Sequence, residues 1–415
     1  MRRLLPALPL ALMVATGCAP RAHIAPISME QLQEFREARL EERLRVHLVV
    51  SIADDRVKQW TPEIANDPSH PLHAQLHGNG QRLAKLAGVR LVEHYPIEAL
   101  GLYVYVFEGA SIGAVDIAAG RLAAEPGVKT VQRVNLFRTQ SSEPARFREN
   151  DEDPLAPLQA IPVTELTRLH ALATGRGVRI AIVDTGIDLL HEDLAGAQLT
   201  ARDLVDNLPQ VPAETHATSV TGIMLAQPLN RIGLHGIAPD ATVIVLRACW
   251  QRGSGAAYCN TFTLAKALAA ALEADVDIVN LSLTGPLDPL LVELVEQLQQ
   301  NNVIVVAAYP DEPDQGPFPA RLPGVIAATA RPVLADDPGP VYAPGDDVIT
   351  LLPDNRYGLQ DGSSISAAQV SAVACLFREL DPSMTAATLE AVLHGRGVEQ
   401  EGLAGLLEAL QQARN

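Results

Sequence analysis

Residues 178–188 read VRIAIVDTGID, an almost unbroken apolar run that ends in an acidic residue, a threonine and a glycine. A short apolar run closed by a turn signal is typical of a strand that is buried on both faces. Three similar runs follow, TVIVLRA from Thr242, DIVNLSL from Asp277 and NVIVVAAY from Asn302, with helical stretches such as LAKALAAALEA (264–274) between them. This alternation predicts an α/β fold in which a mainly parallel sheet lies between two layers of helices.

Length and composition indicate a globular protein with more than one domain. The chain has 415 residues, of which 47% are apolar and 20% charged, so it is too long for a single small module. Its 32 Lys and Arg against 49 Asp and Glu give a formal net charge of −17. Because the chain is acidic and has no long basic block, we do not expect it to bind nucleic acid.

Residues 1–18 have the features of a signal peptide for export. Arg2 and Arg3 precede an apolar run from Leu4 to Val14, which is too short to span a bilayer but fits the apolar region of such a signal. The ATGC stretch that ends at Cys18 resembles a bacterial lipobox, in which the cysteine is lipidated and becomes the new N-terminus. This resemblance implies a lipoprotein of the cell envelope, periplasmic or at the outer membrane, with membrane lipid as a partner. Plain secretion is the alternative.

The region between this signal and the parallel sheet divides into three parts. Residues 19–44 predict a helical tether. Residues 45–138 have the order β-α-β-β-α-β, which is typical of a small ferredoxin-like α+β domain whose last strand is predicted over 128–137. Residues 139–157 are rich in proline and acidic residues and predict an exposed linker. The α/β domain is then expected over 158–415.

Three cysteines remain after Cys18, an odd number for an oxidising compartment. Cys249 and Cys259 flank a loop that contains glycine, and we predict that they form a disulfide contributing about 2–3 kcal/mol. Cys375 falls within an apolar helical pattern and is predicted to be a packed, unreactive thiol.

Three polar residues lie where a parallel sheet collects functional groups, at strand ends and helix starts. Asp184 ends the first strand, His216 opens HATSVTGIMLA, and Ser364 follows Gly362 at the start of an apolar helix. Each alone is explained without function, as a turn residue, a structural histidine or a helix cap. Together they supply a nucleophile, an imidazole base and a carboxylate that fixes its tautomer, near the N–H groups of a helix N-terminus.

With these residues the sequence resembles the subtilisin-like serine proteases, whose catalytic triad runs Asp, His, Ser along the chain. The resemblance covers roughly residues 150–415 and implies that Ser364 attacks a peptide carbonyl, His216 transfers the proton and Asp184 orients the imidazole. We therefore expect a serine endopeptidase that acts on proteins or peptides and needs no catalytic cofactor. Four further motifs match in the family's order: GIAPDA (236–241), VNLSL (279–283), VIVVAA (303–308) and YAPG (342–345).

The same resemblance assigns substrate-binding and inhibitory roles. Ser282 and Leu283 correspond to the strand that pairs with the substrate backbone, in the way an extended peptide adds to a sheet edge. Thr284 corresponds to a substrate-binding position that is commonly glycine around the specificity pocket, and its bulk is expected to narrow that pocket. The unit at 45–138 resembles the family's propeptide, which assists folding and inhibits the enzyme until the linker is cut. The protein is thus expected to be made as a zymogen with its own propeptide as an intramolecular inhibitor.

The sequence departs from the family at the oxyanion hole. Asp311 stands where the family usually has an asparagine, whose amide donates to the oxyanion together with the backbone N–H of Ser364. An ionised carboxylate has no proton to donate, and loss of such a donor costs about 10² to 10³ in rate, a figure measured within this family. A catalytically impaired protein of the same fold that binds peptides or a partner in the envelope is therefore the alternative function.

A calcium site is a further implication of the resemblance. Asp193 in HEDL and Asn230 in LNRIG match ligands of a family site that backbone carbonyls complete, with Ile232 and Leu234 as the corresponding residues here. Such oxygen ligands suit calcium, which would have a structural role. Alternatively, Asp193 caps a turn and Asn230 shapes a loop.

Overall fold

The computed structural model describes residues 43–61, 64, 70–139, 161–227, 234–251, 257–312, 315–331, 339–394 and 408–413. The predicted signal peptide with Cys18, most of the tether and the linker from residue 140 lie outside these ranges, as does Asn230. Among the described helices, none combines the length and the apolar character that crossing a bilayer requires. Residues 43–415 form one unit.

The N-terminal domain is an antiparallel sheet with two helices. Its strand order is β2-β3-β1-β4, and every neighbouring pair is antiparallel. The predicted β-α-β-β-α-β order is confirmed, and with it the ferredoxin-like α+β fold. The elements are β1 (His47–Ala53), α1 (Pro71–Ala87), β2 (Arg90–Ile97), β3 (Leu102–Glu108), α2 (Ile112–Ala123) and β4 (Val128–Arg133), followed by β5 (Leu136–Thr139).

Alternating residues of β1 face two different hydrophobic cores. Leu48, Val50 and Ile52 pack with α1 and α2, whereas Val49 faces a core that the sheet shares with the second domain. Successive side chains of a strand point to opposite faces, so this sheet is covered on both sides. The N-terminal domain is therefore packed against the second domain by a whole face of its sheet.

The second domain is built on a seven-stranded parallel sheet in the order β15-β14-β13-β11-β6-β8-β7. Its strands are β6 (Arg179–Asp184), β7 (Gln198–Asp203), β8 (Thr242–Arg247), β11 (Ile278–Leu281), β13 (Ile304–Ala308), β14 (Ile326–Thr329) and β15 (Val341–Tyr342). Its helices are α3 (Val163–His170), α4 (Thr215–Leu225), α5 (Thr261–Glu273), α6 (Pro289–Gln300), α7 (Ser363–Leu380) and α8 (Ala386–His394). Short strands outside this sheet are β9 (Cys249–Gln251), β10 (Ala257–Asn260), β12 (Leu283–Thr284), β16 (Val348–Leu352) and β17 (Arg356–Gln360).

The central strand β6 shows why this domain has three layers. Ile180 and Ile182 face the core formed with α4 and α7. Ala181 and Val183 face the opposite core, formed with α5 and α6. A strand buried on both faces needs apolar residues at every position, so the predicted α/β three-layer fold is confirmed.

Helix α7 begins at a position that requires glycine. Gly362 precedes the helix with φ 124°, a conformation that residues with a side chain rarely adopt. Its N–H donates to Gly345 O at 2.7 Å, which fixes the entry of the chain into the helix. Cys375 in the same helix is a buried free thiol, and burial raises its pKa well above the usual value.

The predicted single strand over 128–137 is wrong, because the chain changes sheets within it. β4 ends at Arg133, and β5 belongs to a separate sheet of order β12-β5-β10-β9. Cys249 and Cys259 are joined by a disulfide at directly paired positions of β9 and β10 in that sheet. Since Thr139 is the last residue of β5, the linker predicted from 139 begins no earlier than residue 140.

The change of sheet at Asn135 is imposed by the second domain. The backbone N–H of Asn135 donates to Thr261 Oγ1 at 2.9 Å, and its side-chain Nδ2 donates to Asp288 Oδ2 at 3.0 Å. Asp288 is fully buried and also accepts from Gln132 Nε2 at 2.5 Å. These contacts come from residues far along the chain. The stretch VKTVQRVNLF (128–137) itself contains no proline or glycine that would signal the break.

His94 in β2 predicts a pH-dependent stability of the N-terminal domain. Burial, and secondarily the nearby His77 and His73, lower the pKa of His94 to about 4. Its Nδ1 lies 2.7 Å from Tyr103 Oη and its Nε2 lies 3.0 Å from His77 Nδ1. An unfolded histidine has a pKa near 6.5, so the unfolded chain binds more protons. We expect the free energy of unfolding to have its full value above about pH 6.5 and to fall by about 1–2 kcal/mol towards pH 4. This figure is reduced because the His94 side chain is partly exposed to solvent.

The measurement is urea unfolding of the full chain, monitored by the fluorescence of Trp60. All variants carry Trp250→Phe, which removes the other tryptophan. His94→Gln should flatten the dependence of unfolding free energy on pH between 6.5 and 4, whereas the control His47→Gln should retain it. Parallel curves for His94→Gln and the wild type would contradict this assignment.

Candidate active site

Asp184 and His216 form a buried, hydrogen-bonded pair at the carboxyl edge of the parallel sheet. Asp184 is the last residue of β6, and His216 lies in the first turn of α4. His216 Nδ1 lies 2.7 Å from Asp184 Oδ1 and 2.8 Å from Oδ2. The two side chains are 0% and 3% exposed, so water does not compete for the hydrogen bond. This contact leaves Nε2 of the imidazole facing away from the carboxylate.

Two threonines fix the loop after Asp184 against α4. Thr185 Oγ1 accepts from the N–H of Ala217 at 3.0 Å, and Thr218 Oγ1 accepts from the N–H of Asp188 at 3.0 Å. The loop and the first turn of the helix therefore hold the carboxylate and the imidazole at a set spacing. These roles were not predicted from the sequence, although Thr185 lies in VRIAIVDTGID and Thr218 in HATSVTGIMLA.

Ser364 lies at the N-terminus of α7, fully buried. Its backbone carbonyl accepts a hydrogen bond from Ser282 Oγ at 3.1 Å. His216 Nε2 is buried and has no hydrogen-bond partner among the described residues. The structure thus joins Asp184 to His216 directly, while the hydroxyl of Ser364 is not hydrogen-bonded to the imidazole. Such bonds are often long before substrate binds and shorten in the reacting complex.

A buried polar chain supports the backbone at Ser364. Ser371 Oγ donates to Asn280 Oδ1, Asn280 Nδ2 donates to Ser282 Oγ, and both distances are 2.9 Å. Ser282 then reaches Ser364 O, so β11 is connected to the first turn of α7. Asn280 is the polar residue in the otherwise apolar strand Ile278–Leu281, and this was the available signal for it, whereas Ser371 gave none.

Of the predicted substrate-binding residues, Leu283 and Thr284 form β12 and pair with β5. Leu283 is opposite Thr139 and Thr284 is opposite Arg138, in an antiparallel register. Ser282 precedes the strand and contacts Ser364 instead of pairing. The edge predicted to bind peptide is therefore occupied by a segment of the same chain.

The other side of β5 pairs with β10, so the segment lies between two strands. Phe137 is opposite Cys259 and is fully buried, with its ring 5.6 Å from that of Phe318 in a T-shaped arrangement. A Cβ atom at Gly285 would lie 2.2 Å from Phe137 Cδ1. The absence of a side chain at Gly285 therefore makes room for this aromatic ring.

Asp311, the predicted oxyanion-hole residue, contacts the residue before Ser364. Ser363 Oγ donates to Asp311 Oδ1 at 2.7 Å. The carboxylate thus lies close to the start of α7 as an acceptor. The N-terminus of α7 itself carries N–H groups and the positive end of the helix dipole, which favour a developing negative charge.

The predicted calcium site is only partly described. Asp193 is fully buried, and its Oδ2 accepts from the N–H of Leu234 at 2.7 Å. Asn230 and Ile232 lie outside the described residues. Within the described part of the chain, no group of three or more Asp, Glu, His or Cys side chains is placed to hold a metal ion. Calcium takes six to eight oxygen ligands, so one carboxylate alone does not make the site, and it stays a prediction.

Comparison with known proteins identifies the class and the family. The crystal structure of fervidolysin from Fervidobacterium pennivorans, a keratinolytic enzyme related to subtilisin, superposes with a TM-score of 0.66 at 18% identity, over 87% of this chain and 60% of that one. The fold is thus subtilisin-like. The model of the subtilase family matches residues 175–396, more than half of the chain. The chain therefore belongs to the subtilase family.

Relatives with similar sequences are serine proteases. The thermophilic serine proteinase of Bacillus sp. strain AK1 is 31% identical over 211 residues, which cover 48% of this chain and 52% of that protein. The major intracellular serine protease of Bacillus subtilis strain 168 is 28% identical, over 50% of this chain and 70% of that protein. Subtilisin E of the same strain is 29% identical, over 51% and 58%. The chain thus spans about half the length of the first of these relatives.

Asp311→Asn should increase activity at neutral pH. The oxygen of the new amide can still accept from Ser363, while its NH2 group supplies a donor that an ionised carboxylate lacks. One such donor is worth about 10² to 10³ in kcat in subtilisin, so we expect a rise in kcat of about tenfold or more. Peptide hydrolysis at pH 7.5 measures it.

The control for this variant is Glu312→Gln, which removes the neighbouring exposed carboxylate and should leave kcat within about twofold. An unchanged or lower kcat in Asp311→Asn would show that the carboxylate has a different role.

Proposed function

We propose that this protein is a serine endopeptidase with Asp184, His216 and Ser364 as its catalytic triad. The observation that carries the proposal is the buried hydrogen bond between Asp184 and His216 Nδ1 at the carboxyl edge of the sheet. It leaves Nε2 as the nitrogen that can exchange a proton with a nucleophile. Membership of the subtilase family gives independent support.

The proposed reaction is acyl transfer in two halves. Ser364 Oγ attacks the peptide carbonyl carbon while its proton passes to His216 Nε2. The C–N bond then breaks, and His216 returns the proton to the leaving amine. Water repeats these steps on the acyl-enzyme, which releases the acid and restores Ser364. Asp184 holds the imidazole tautomer, and N–H groups at the start of α7 receive the oxyanion.

We propose further that residues 45–138 act as an inhibitory propeptide, so that the chain is made as a zymogen. The support is the position of β5, whose residues pair with β12 and β10 as an extended substrate does. Asp288 of the second domain adds hydrogen bonds to Gln132 and Asn135 of the N-terminal domain. Because β5 ends at Thr139 near the helix that carries Ser364, we expect cleavage shortly after that residue, within 140–157.

Self-cleavage and active-site labelling test these proposals together. The purified full chain should acquire a new N-terminus within 140–157 and, once the N-terminal piece has unfolded or been degraded, should react with a fluorophosphonate probe, because both steps use the Ser364 nucleophile. Ser364→Ala should remain intact and unlabelled, a loss of at least about 10³-fold. N-terminal sequencing and fluorescence of the labelled band measure the two results.

The matched control is Ser366→Ala, which removes a hydroxyl of the same helix that donates to Ala343 O at 2.7 Å. It should be cleaved and labelled like the wild type. If the wild type shows neither reaction from pH 5 to 9, the endopeptidase proposal is wrong. The impaired peptide-binding protein, which the carboxylate of Asp311 favours, would then be the better function.

We also propose that the protein is exported and anchored to the cell envelope through lipid on Cys18. The support is sequence alone: the apolar run from Leu4 to Val14 and the ATGC stretch. In bacteria fed an alkyne-tagged palmitate, the wild type and Cys375→Ser should be labelled, whereas Cys18→Ser should lose the label. An unlabelled wild type found in the medium would favour plain secretion.

A further inference from the structure

Glu214 lies two residues before His216 and contacts several parts of the active site. It is the N-cap residue of α4, but its side chain does not cap the helix. Instead, Oε2 accepts from the N–H of Gly186 at 2.6 Å and from Arg247 Nε at 3.3 Å, and Oε1 accepts from the N–H of Gln251 at 2.9 Å. One carboxylate thus joins the loop after Asp184 to strand β9.

A second hydrogen bond connects β9 to the histidine helix. Gln251 Oε1 accepts from the N–H of Thr215 at 2.9 Å, so Gln251 bonds both Glu214 and the residue that follows it. β9 is in turn linked to β10 by the disulfide between Cys249 and Cys259. β10 pairs in turn with β5. A continuous set of bonds therefore leads from the start of α4 through β9 and β10 to the bound segment β5.

The packing at Gly186 shows how close these segments are. A Cβ atom there would lie 2.0 Å from Pro212 O and 3.0 Å from Glu214 Oε2. The loop that follows Asp184 is therefore packed directly against residues 212–214, and the N–H of Gly186 donates to Glu214 Oε2. A shift of the Glu214 carboxylate would break its hydrogen bond to the Gly186 N–H, which fixes the loop two residues after the carboxylate that bonds His216.

We propose that Glu214 is a positioning residue that holds the Asp184 loop, the His216 helix and the peptide-binding hairpin β9–β10 in one arrangement. This inference rests on the proposed endopeptidase function. A competing role, in which Glu214 binds a basic side chain of the substrate, is disfavoured because its oxygens already accept three hydrogen bonds and its side chain is only 13% exposed.

The test measures self-cleavage of the full chain, a first-order reaction in which the peptide is already bound. Glu214→Gln, which lacks one of the two acceptor oxygens, should lower this rate constant about tenfold. Glu214→Ala should lower it about 10²-fold, the loss expected when reacting groups are misplaced by about 1 Å. Labelling by the fluorophosphonate after maturation should fall in the same order.

Two controls separate positioning from charge and from stability. Asp206→Asn removes another carboxylate bound to Arg247, at 2.8 Å, and should leave the rate within about twofold. Glu379→Gln weakens a structural carboxylate that accepts N–H groups of residues 174–176, so it should lower the melting temperature without changing the rate of the folded protein. If Glu214→Ala does not fold, Glu214→Asp keeps the charge but shortens the reach, and its rate should fall about tenfold.

The possible outcomes distinguish the two levels of the proposal. A wild type that neither cleaves itself nor is labelled rejects the endopeptidase function, and this inference with it. An active wild type whose Glu214 variants match Asp206→Asn rejects the positioning role alone. A higher KM only for basic peptides, with an unchanged self-cleavage rate, would assign Glu214 to substrate binding instead.

Discussion

A carboxylate without solvent exposure is stable only when hydrogen bonds replace the water it has lost. Asp184 meets this requirement through the imidazole of His216 and the backbone N–H of Thr185. The rest of the site depends on that burial. The apolar faces of β6 bring the carboxylate to the edge of the sheet, and the hydroxyls of Thr185 and Thr218 fasten α4 beside it.

The order of elements and the location of the site were predictable because their signals are local. Apolar runs with an acidic end predicted β6 and Asp184, and Gly362 before an apolar helix predicted the start of α7. The break at Asn135 was not predictable, since Thr261 and Asp288 impose it from another domain. Glu214 was missed for the same reason: its role comes from contacts with Gly186 and Gln251, which sequence spacing does not reveal.

In the proposed function, the backbone groups that pair with β5 are also the groups that would pair with a substrate. β5 fills the space between β10 and β12 with main-chain hydrogen bonds that any extended peptide can make. Side chains add what is particular to this segment, above all the ring of Phe137 in the space left by Gly285. The main-chain hydrogen bonds therefore suit any extended peptide, whereas the packing of Phe137 against Gly285 is particular to this segment.

The N-terminal sheet has no free face, since α1 and α2 cover one side and a core shared with α5 and α6 covers the other. Severing the connecting peptide would remove a covalent link but none of this apolar contact. Pulling the two pieces apart would expose each to water, at about 25 cal/mol for every Å² of apolar surface. A nicked molecule is thus expected to persist as a two-chain complex until the smaller piece unfolds or is degraded.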